Sequence, residues 1–352
     1  MQIKRIALGG IIMTVIMFSG CSTTVQNLAI GEEKTLETGK TEQESVTEKD
    51  INMNEKESFN AESNINDVIH DSAFDDYGRL IFPIDMEIKD NLKLKDVSSI
   101  LPWYSEVNTD KTVEIVNYMK NQAMNGEKIF YPIYSEEEMQ EDPDKKDTGL
   151  FFFRGNAGSK TAIINAGGGF VYVAGIHDSF PHALELSKKG HNAFALIYRP
   201  GAQTACEDLA RAIAFLHENA EQLQIDMTDY SLWGGSAGAR MAAWLGSYGT
   251  AYFGEKDYPA PAAVIMQYTG LSQVTGMEPP IYACVGTSDG IASYRSMESY
   301  ISQIQQNGTN TKIEVFKGLS HGFGLGEGTV AEGWIDHAVS FWEENMSASY
   351  KR

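Results

Sequence analysis

Three serines of this 352-residue chain occupy a Gly-x-Ser-x-Gly pattern, at Ser236, Ser288 and Ser320. Glycines on both sides of a serine permit the strained strand-to-helix turn that presents its hydroxyl as a nucleophile. The context favours Ser236, because a strand-like run at 230–233 precedes it and small residues suited to a packed helix follow it. The glycines after Ser320 are typical of a loop. Ser288 leaves no acid at a strand end before the next candidate base.

A serine nucleophile also needs a base to accept its proton and a carboxylate to orient that base. His321 follows the predicted strand at 312–316, and Asp289 follows the one at 281–285. An Asp-Gly pair is also common in simple turns, which is the alternative for Asp289. Because all three positions follow strand-like runs, the sequence predicts that Ser236, Asp289 and His321 act together.

Acyl transfer further requires hydrogen-bond donors for the oxyanion. Gly167, Gly168 and Gly169 follow the apolar run at 161–165. We predict that the amides of Gly168 or Gly169, together with that of Ala237, form this oxyanion hole. A nucleotide-binding turn is the alternative, but the run lacks the G-x-G-x-x-G spacing of such turns.

From residue 160 onward, apolar runs alternate with amphipathic segments. The predicted strands are 161–165, 192–198, 230–233, 262–268, 281–285 and 312–316, and the predicted helices are 206–219, 236–248, 293–306 and 331–346. This alternation predicts an α/β fold whose parallel sheet is covered on both faces. Ligands bind at the carboxyl ends of strands in such sheets, which is where the candidate residues fall. Residues 77–150 are less regular, with a predicted helix at 111–125, and suit either a cap over the site or an extra sheet edge.

The segment from 149 to 346 resembles the esterase/lipase branch of the α/β-hydrolase family, and most of all the bacterial acetylesterases and acetyl-xylan-esterase-like carbohydrate esterases. The matching pieces are GGGF at 167–170, YRP at 198–200, DLARA at 208–212, GGSAG at 234–238, GTSD at 286–289 and SHGF at 320–323. The resemblance implies the α/β-hydrolase fold, with a mostly parallel central sheet and helices on both faces, and a Ser236–Asp289–His321 triad. It also implies esters of short acids, often on sugars. Two positions depart from the pattern, since Ala166 and Arg240 stand where many relatives have histidine.

The N-terminus has the features of an export signal. Lys4 and Arg5 precede an apolar run of 15 residues, which is shorter than the roughly 20 residues that span a membrane. The run ends in small residues before Cys21, which resembles the lipobox of bacterial lipoproteins. We therefore predict a signal peptide over 1–20, a lipidated Cys21, and a location on the extracytoplasmic face of the cell membrane. A cleaved signal without a lipid, or an uncleaved anchor, is the alternative.

Residues 22–76 carry 14 acidic residues and 4 lysines, a net charge of −10, and their only aromatic residues are Phe59 and Phe74. This composition cannot bury enough apolar surface to offset chain entropy. We predict a lipidated, disordered tether over 21–76 and one catalytic domain over 77–352, in which 77–150 form an extension or cap. Given a total charge of −20 and a signal charge of +2, the domain carries −12, which argues against nucleic acid and anionic lipid as ligands.

The remaining cysteines, Cys206 and Cys284, lie in apolar patterns typical of buried free thiols, although a disulfide is an alternative in an exported protein. No Cys-x-x-Cys motif or His-rich cluster indicates a metal site, and serine acyl transfer needs no cofactor.

The sequence therefore predicts a lipid-anchored serine esterase that acts on small esters or acylated saccharides, with acetyl esters preferred. Phe170, Tyr172 and Tyr268 lie near the motifs and would stack on sugar rings, with core packing as the alternative. A peptidase of the same fold and a non-catalytic surface binding protein are the competing functions.

Overall fold

The computed structural model describes residues 58–347, and the helices of this part alternate with its strands. The α-helices are α1 (Ile65–Ile69), α2 (Thr109–Met124), α3 (Glu136–Glu141), α4 (Gly175–Asp178), α5 (Phe180–Lys188), α6 (Ala202–Glu218), α7 (Ala220–Leu223), α8 (Ala237–Tyr248), α9 (Tyr294–Gln306) and α10 (Trp334–Asn345). Short 3-10 segments lie at Ser72–Ile81, Leu94–Ile100, Pro143–Asp147 and Thr250–Phe253.

Eight strands form one sheet in the order β1-β2-β4-β3-β5-β6-β7-β8. Their bounds are β1 (Phe130–Tyr131), β2 (Gly149–Phe153), β3 (Lys160–Asn165), β4 (Asn192–Ile197), β5 (Asp226–Gly235), β6 (Ala263–Gln267), β7 (Ile281–Gly286) and β8 (Thr311–Phe316). Strands β3 to β8 pair in parallel, whereas β1 and β2 add an antiparallel edge beside β4. The predicted strands are confirmed to within a few residues.

The sheet is buried between two groups of helices. Every residue of β2, β3, β4, β6 and β7 is buried, as expected for strands covered on both faces. The chain goes from β3 through α5 to β4 and then reverses direction through α6 to β5. With right-handed crossovers, this reversal puts α5 and α6 on opposite faces. The reversal also makes the carboxyl ends of β3 and β5 the place where a ligand site is expected.

The folded unit begins earlier than the sequence predicted. Residues 58–76 were assigned to the disordered tether, but Ile65, Val68 and Phe74 are completely buried in the common core. Two acidic side chains of this stretch pair with lysines, Glu62 with Lys93 and Lys95, and Asp71 with Lys120. The hydrogen bonds from Lys93 and Lys95 lower the pKa of Glu62 to about 2. The tether boundary at residue 76 is therefore wrong. The average composition of the stretch is acidic and polar, and it conceals the few apolar residues that are buried in the core. The rest of the predicted tether, 21–57, lies outside the described residues.

Residues 77–150 form part of the edge of the sheet, since they contain β1 and lead into β2. Their segment at 103–105 also reaches the carboxyl ends of the parallel strands, where the Ser105 amide and hydroxyl both donate to the backbone oxygen of His321, at 3.2 and 2.8 Å. Cys206 and Cys284 are buried free thiols, as predicted. No helix within residues 58–347 is long and apolar enough to cross a membrane.

Candidate active site

Ser236 lies at the sharp turn between β5 and α8. Its backbone has φ 52° and ψ −113°, a conformation that L-residues rarely adopt, so the turn is strained. Glycines make the turn possible, because a Cβ at Gly234 would lie 2.3 Å from the carbonyl carbon of Gly238, and one at Gly238 would lie 1.9 Å from the oxygen of Asn165. The Gly-x-Ser-x-Gly pattern is therefore a packing requirement here, and its result is a serine hydroxyl held above the end of the sheet.

His321 and Asp289 complete a continuous hydrogen-bonded chain with this serine. The imidazole Nε2 of His321 lies 3.1 Å from Ser236 Oγ, and its Nδ1 lies 2.8 Å from Asp289 Oδ2. The other carboxylate oxygen, Oδ1, accepts hydrogen bonds from the amides of Ile291 at 2.8 Å and Ala292 at 2.7 Å. The Asp289 side chain is fully buried and the histidine side chain is 6% exposed. The arrangement has the geometry of a nucleophile, a base and an orienting carboxylate.

The other two Gly-x-Ser-x-Gly copies do not form such a chain. Ser288 is exposed in the turn after β7, and Ser320 is exposed in the loop that carries His321. Among the described residues 58–347, the His321 imidazole bonds to the hydroxyl of Ser236 and to neither of these serines. The direct passage from strand to helix at Ser236 and its contact with His321, rather than the motif itself, separate the three copies.

The glycine run after β3 lies directly against the strained turn. A Cβ at Gly167 would lie 2.8 Å from Ser236 Cβ, which shows how closely the two loops approach. Gly169 and Ala237, two of the predicted oxyanion donors, line the same cavity as Ser236 and His321. Gly168 lies behind them, packed against the Tyr172 backbone, and is not part of the cavity wall.

Asp178 is a buried residue of this region that the sequence analysis missed. It accepts hydrogen bonds from the Gly167 amide at 2.7 Å, from the Tyr104 hydroxyl at 3.0 Å, and from the Tyr268 hydroxyl. Burial raises the pKa of its carboxyl group. Through these hydrogen bonds, Asp178 links the glycine run to Tyr268, which borders the cavity. Its sequence signal was that it is the one acidic residue in the stretch 170–184, close after the glycines.

The three aromatic residues predicted to contact sugars occupy different places. Phe170 lines the cavity and stacks on Trp244 at 6.1 Å. Tyr268 borders the cavity but is fully buried, with its ring edge-on to His321 at 5.0 Å. Tyr172 is 1% exposed beneath Trp103 and does not line the cavity, so core packing describes it better than sugar stacking. Trp103 is 41% exposed and contacts Gly169, which makes it an aromatic residue at the rim that the sequence did not indicate.

The cavity above Ser236 has a volume of about 190 Å³. A larger one, of about 750 Å³, lies between the Ser72–Ile81 segment, the end of α2 and β1, and its wall contains neither serine nor histidine. The chemistry of the wall, not the volume, therefore identifies the candidate site. Within the described range 58–347, no group of three or more His, Cys, Asp or Glu side chains is arranged to hold a metal ion.

Comparisons with known proteins agree with this architecture. The family model BD-FAE matches residues 154–279, a segment that contains the glycine run and Ser236 but ends before Asp289 and His321. No curated protein sequence gives a significant match.

Solved structures of similar fold include two esterases. An acetyl ester-xyloside bifunctional hydrolase from Caldicellulosiruptor lactoaceticus is 18% identical with a TM-score of 0.54, and the match covers 61% of this chain and 95% of that chain. The native form of esterase Est2 from the planctomycete Thermogutta terrifontis is 19% identical with a TM-score of 0.53, and the match covers 63% and 94%. With the sheet order described above, these likenesses show that the chain has the α/β-hydrolase fold.

Proposed function

We propose that this chain is a serine esterase that hydrolyses short-chain acyl esters, with acetyl esters preferred and acylated saccharides among its substrates. The observation that carries the proposal is the hydrogen-bonded chain from Asp289 through His321 to Ser236 Oγ. All three members are present, and His321 lies within 3.1 Å of each of the other two, an arrangement that a binding protein without catalysis would not need. The BD-FAE match and the esterases of the same fold support an ester substrate.

The proposed reaction has two steps. Ser236 Oγ bonds to the ester carbonyl carbon while His321 Nε2 takes the hydroxyl proton, and the amides of Gly169 and Ala237 donate to the oxygen that becomes negative. The carbon–oxygen bond to the alcohol then breaks, and the alcohol leaves with the proton from His321. Water next adds to the acyl-serine and gives its proton to His321. Release of the acid returns that proton to Ser236, so one ester and one water yield one acid and one alcohol.

The acyl-chain preference is a testable part of this proposal. A cavity of about 190 Å³ is small beside the several hundred Å³ of pockets that hold drug-sized ligands. Each methylene that does not fit an acyl pocket costs about 1–3 kcal/mol, or roughly 10–200-fold in rate. We therefore expect kcat/KM for p-nitrophenyl acetate to exceed that for the octanoate by at least about 10-fold.

The measurement is kcat/KM across p-nitrophenyl acetate, butyrate, octanoate and palmitate, beside acetylated xylo-oligosaccharides and a peptide amide. The Ser236→Ala protein gives the background rate for each ester. A preference for octanoate or a longer chain would contradict the short-acyl assignment. Faster cleavage of the peptide than of any ester would favour the peptidase alternative.

We also propose that the enzyme is a lipoprotein on the extracytoplasmic face of the cell membrane. Cys21 lies outside the described residues, so this proposal rests on the signal-like segment that ends there. Cells fed an alkyne fatty acid should label the wild-type protein and not the Cys21→Ser variant. Equal labelling of the two proteins would refute the lipid anchor.

A further inference from the structure

Arg240 is a cation in the wall of the catalytic cavity. It lies on α8, one helical turn after Ser236, and lines the same cavity as Ser236 and His321. Its guanidinium lies against the backbone beyond β6, since a Cβ at Gly270 would be 3.2 Å from Nη2. A positive charge therefore faces the space in which the ester must sit.

Within residues 58–347, the Arg240 guanidinium has no ion pair or hydrogen bond with another side chain or with the backbone. Its situation differs from that of the other arginines in this range. Four of the other five form ion pairs: Arg79 with Asp147, Arg154 with Glu127, Arg199 with Asp208 and Arg211 with Glu255. The remaining one, Arg295, is exposed on α9 and lies over the ring of Tyr294.

The hydroxyl of Thr269 is a second polar group of the cavity wall that has no hydrogen-bond partner among the described residues. Thr269, directly before Gly270, is 1% exposed and also lines the cavity. Its hydroxyl oxygen is buried without a hydrogen-bond partner among the described residues. An unmade hydrogen bond at a buried hydroxyl is costly and is normally satisfied. A ligand oxygen in the cavity would serve both the hydroxyl and the guanidinium.

The charge of the cavity wall specifies the kind of ligand. The residues that line the cavity include no aspartate or glutamate, so the Arg240 charge has no counter-ion there. The chain as a whole carries a charge of −20, which repels anions at long range. That repulsion is screened beyond about 8 Å at physiological salt, whereas a contact inside the cavity is screened far less. A single carboxylate bound at Arg240 is therefore compatible with an acidic protein.

We infer that the ester accepted by this site carries a carboxylate, and that Arg240 and Thr269 bind it. The inference rests on the proposed esterase function. Because the acyl group of the proposed reaction is short, the carboxylate belongs to the alcohol part, as it does in an acetylated uronic acid. Guanidinium binds a carboxylate through charge-assisted and often paired hydrogen bonds, and the Thr269 hydroxyl donates a further one.

The test compares two substrates that differ in one group, the methyl glycosides of acetylated galacturonic acid and of acetylated galactose. We expect the wild-type kcat/KM to favour the acidic substrate by about 10- to 100-fold, the range for hydrogen bonds to a charged group. Arg240→Gln should bring the ratio close to one, and Arg240→Lys should retain part of the preference because it keeps the charge. Labelling of Ser236 by a fluorophosphonate identifies the variants that are folded.

Arg154→Gln is the matched control, because it makes the same change in net charge far from the cavity. Arg154 follows the end of β2, beside the amino end of the parallel strand β4. Its substrate ratio should equal that of the wild type. A wild-type ratio at or below one, or an unchanged ratio in Arg240→Gln, would overturn the inference.

A binding experiment separates this inference from the proposed function. Calorimetry with Ser236→Ala and the acetylated uronic acid glycoside should detect binding that Ser236→Ala/Arg240→Gln lacks. Such binding supports the carboxylate site even if no ester is turned over, in which case only the esterase proposal fails. Equal binding by the two proteins, beside normal turnover by the wild type, refutes the carboxylate site alone.

Discussion

Replacing Ser236 by alanine is expected to lower kcat for ester hydrolysis by about 10⁴- to 10⁶-fold, the loss typical of a removed serine nucleophile. The large effect follows from the geometry, because the His321 imidazole has its Nε2 3.1 Å from this hydroxyl and no other acyl acceptor of the chain occupies that place in the described residues. Alanine retains the Cβ of Ser236 and removes only the hydroxyl, so the free energy of unfolding should change little.

The measurement has two readouts, turnover of p-nitrophenyl acetate and covalent labelling by a fluorophosphonate located by mass spectrometry of the peptide. Ser288→Ala and Ser320→Ala are the matched controls, since each removes a hydroxyl from the same Gly-x-Ser-x-Gly pattern. Both should remain labelled at Ser236. A label on the peptide that contains Ser288 or Ser320 would overturn the assignment of the nucleophile.

The parallel part of the fold and its three polar positions were accessible from the sequence because they depend on local signals. The run at 281–285 is apolar at every position and became β7, and the run at 312–316 became β8. In a parallel sheet all carboxyl ends lie at one edge, so residues that follow such runs must come together. Asp289 and His321 could be placed beside Ser236 by this rule without knowledge of any contact.

The parts that the sequence did not reveal depend on contacts between distant segments. Two of the three donors to Asp178 come from distant segments, Tyr104 from 74 residues earlier in the chain and Tyr268 from 90 residues later. Trp103 reaches the rim from a stretch without regular helix or strand patterns. Similarly, Ile65 and Phe74 are buried by elements that come later in the chain, while the acidic composition around them suggested a tether. Local periodicity contains no information about such partners.

Arg240 shows a further limit of motif reasoning. The sequence marks it as a departure from a family pattern, and from sequence alone a departure cannot be distinguished from neutral drift. The structure adds the two facts that give it meaning, namely that it lines the cavity and that the cavity wall has no acidic residue. The absence of a partner within residues 58–347 then becomes an argument about the substrate.

Asp289→Asn is expected to lower kcat by about 10³- to 10⁴-fold although it changes the side chain by one atom. The reason lies in the two amides, those of Ile291 and Ala292, that donate to Asp289 Oδ1. Asparagine can satisfy these donors only with its carbonyl oxygen, so its NH₂ group must face His321 Nδ1. That nitrogen then has to accept a hydrogen bond, which moves the imidazole proton to Nε2. A protonated Nε2 cannot take the proton of Ser236.

Turnover of p-nitrophenyl acetate and the rate of fluorophosphonate labelling should therefore fall together, while the melting temperature stays near that of the wild type. Asp336→Asn is the matched control, because it makes the same replacement at a side chain that is 60% exposed and pairs with Lys189 on the surface. It should retain wild-type kcat. Normal turnover by Asp289→Asn would mean that the carboxylate does not set the tautomer of His321, and the base would then have to be oriented by its remaining neighbours, among them the ring of Tyr268.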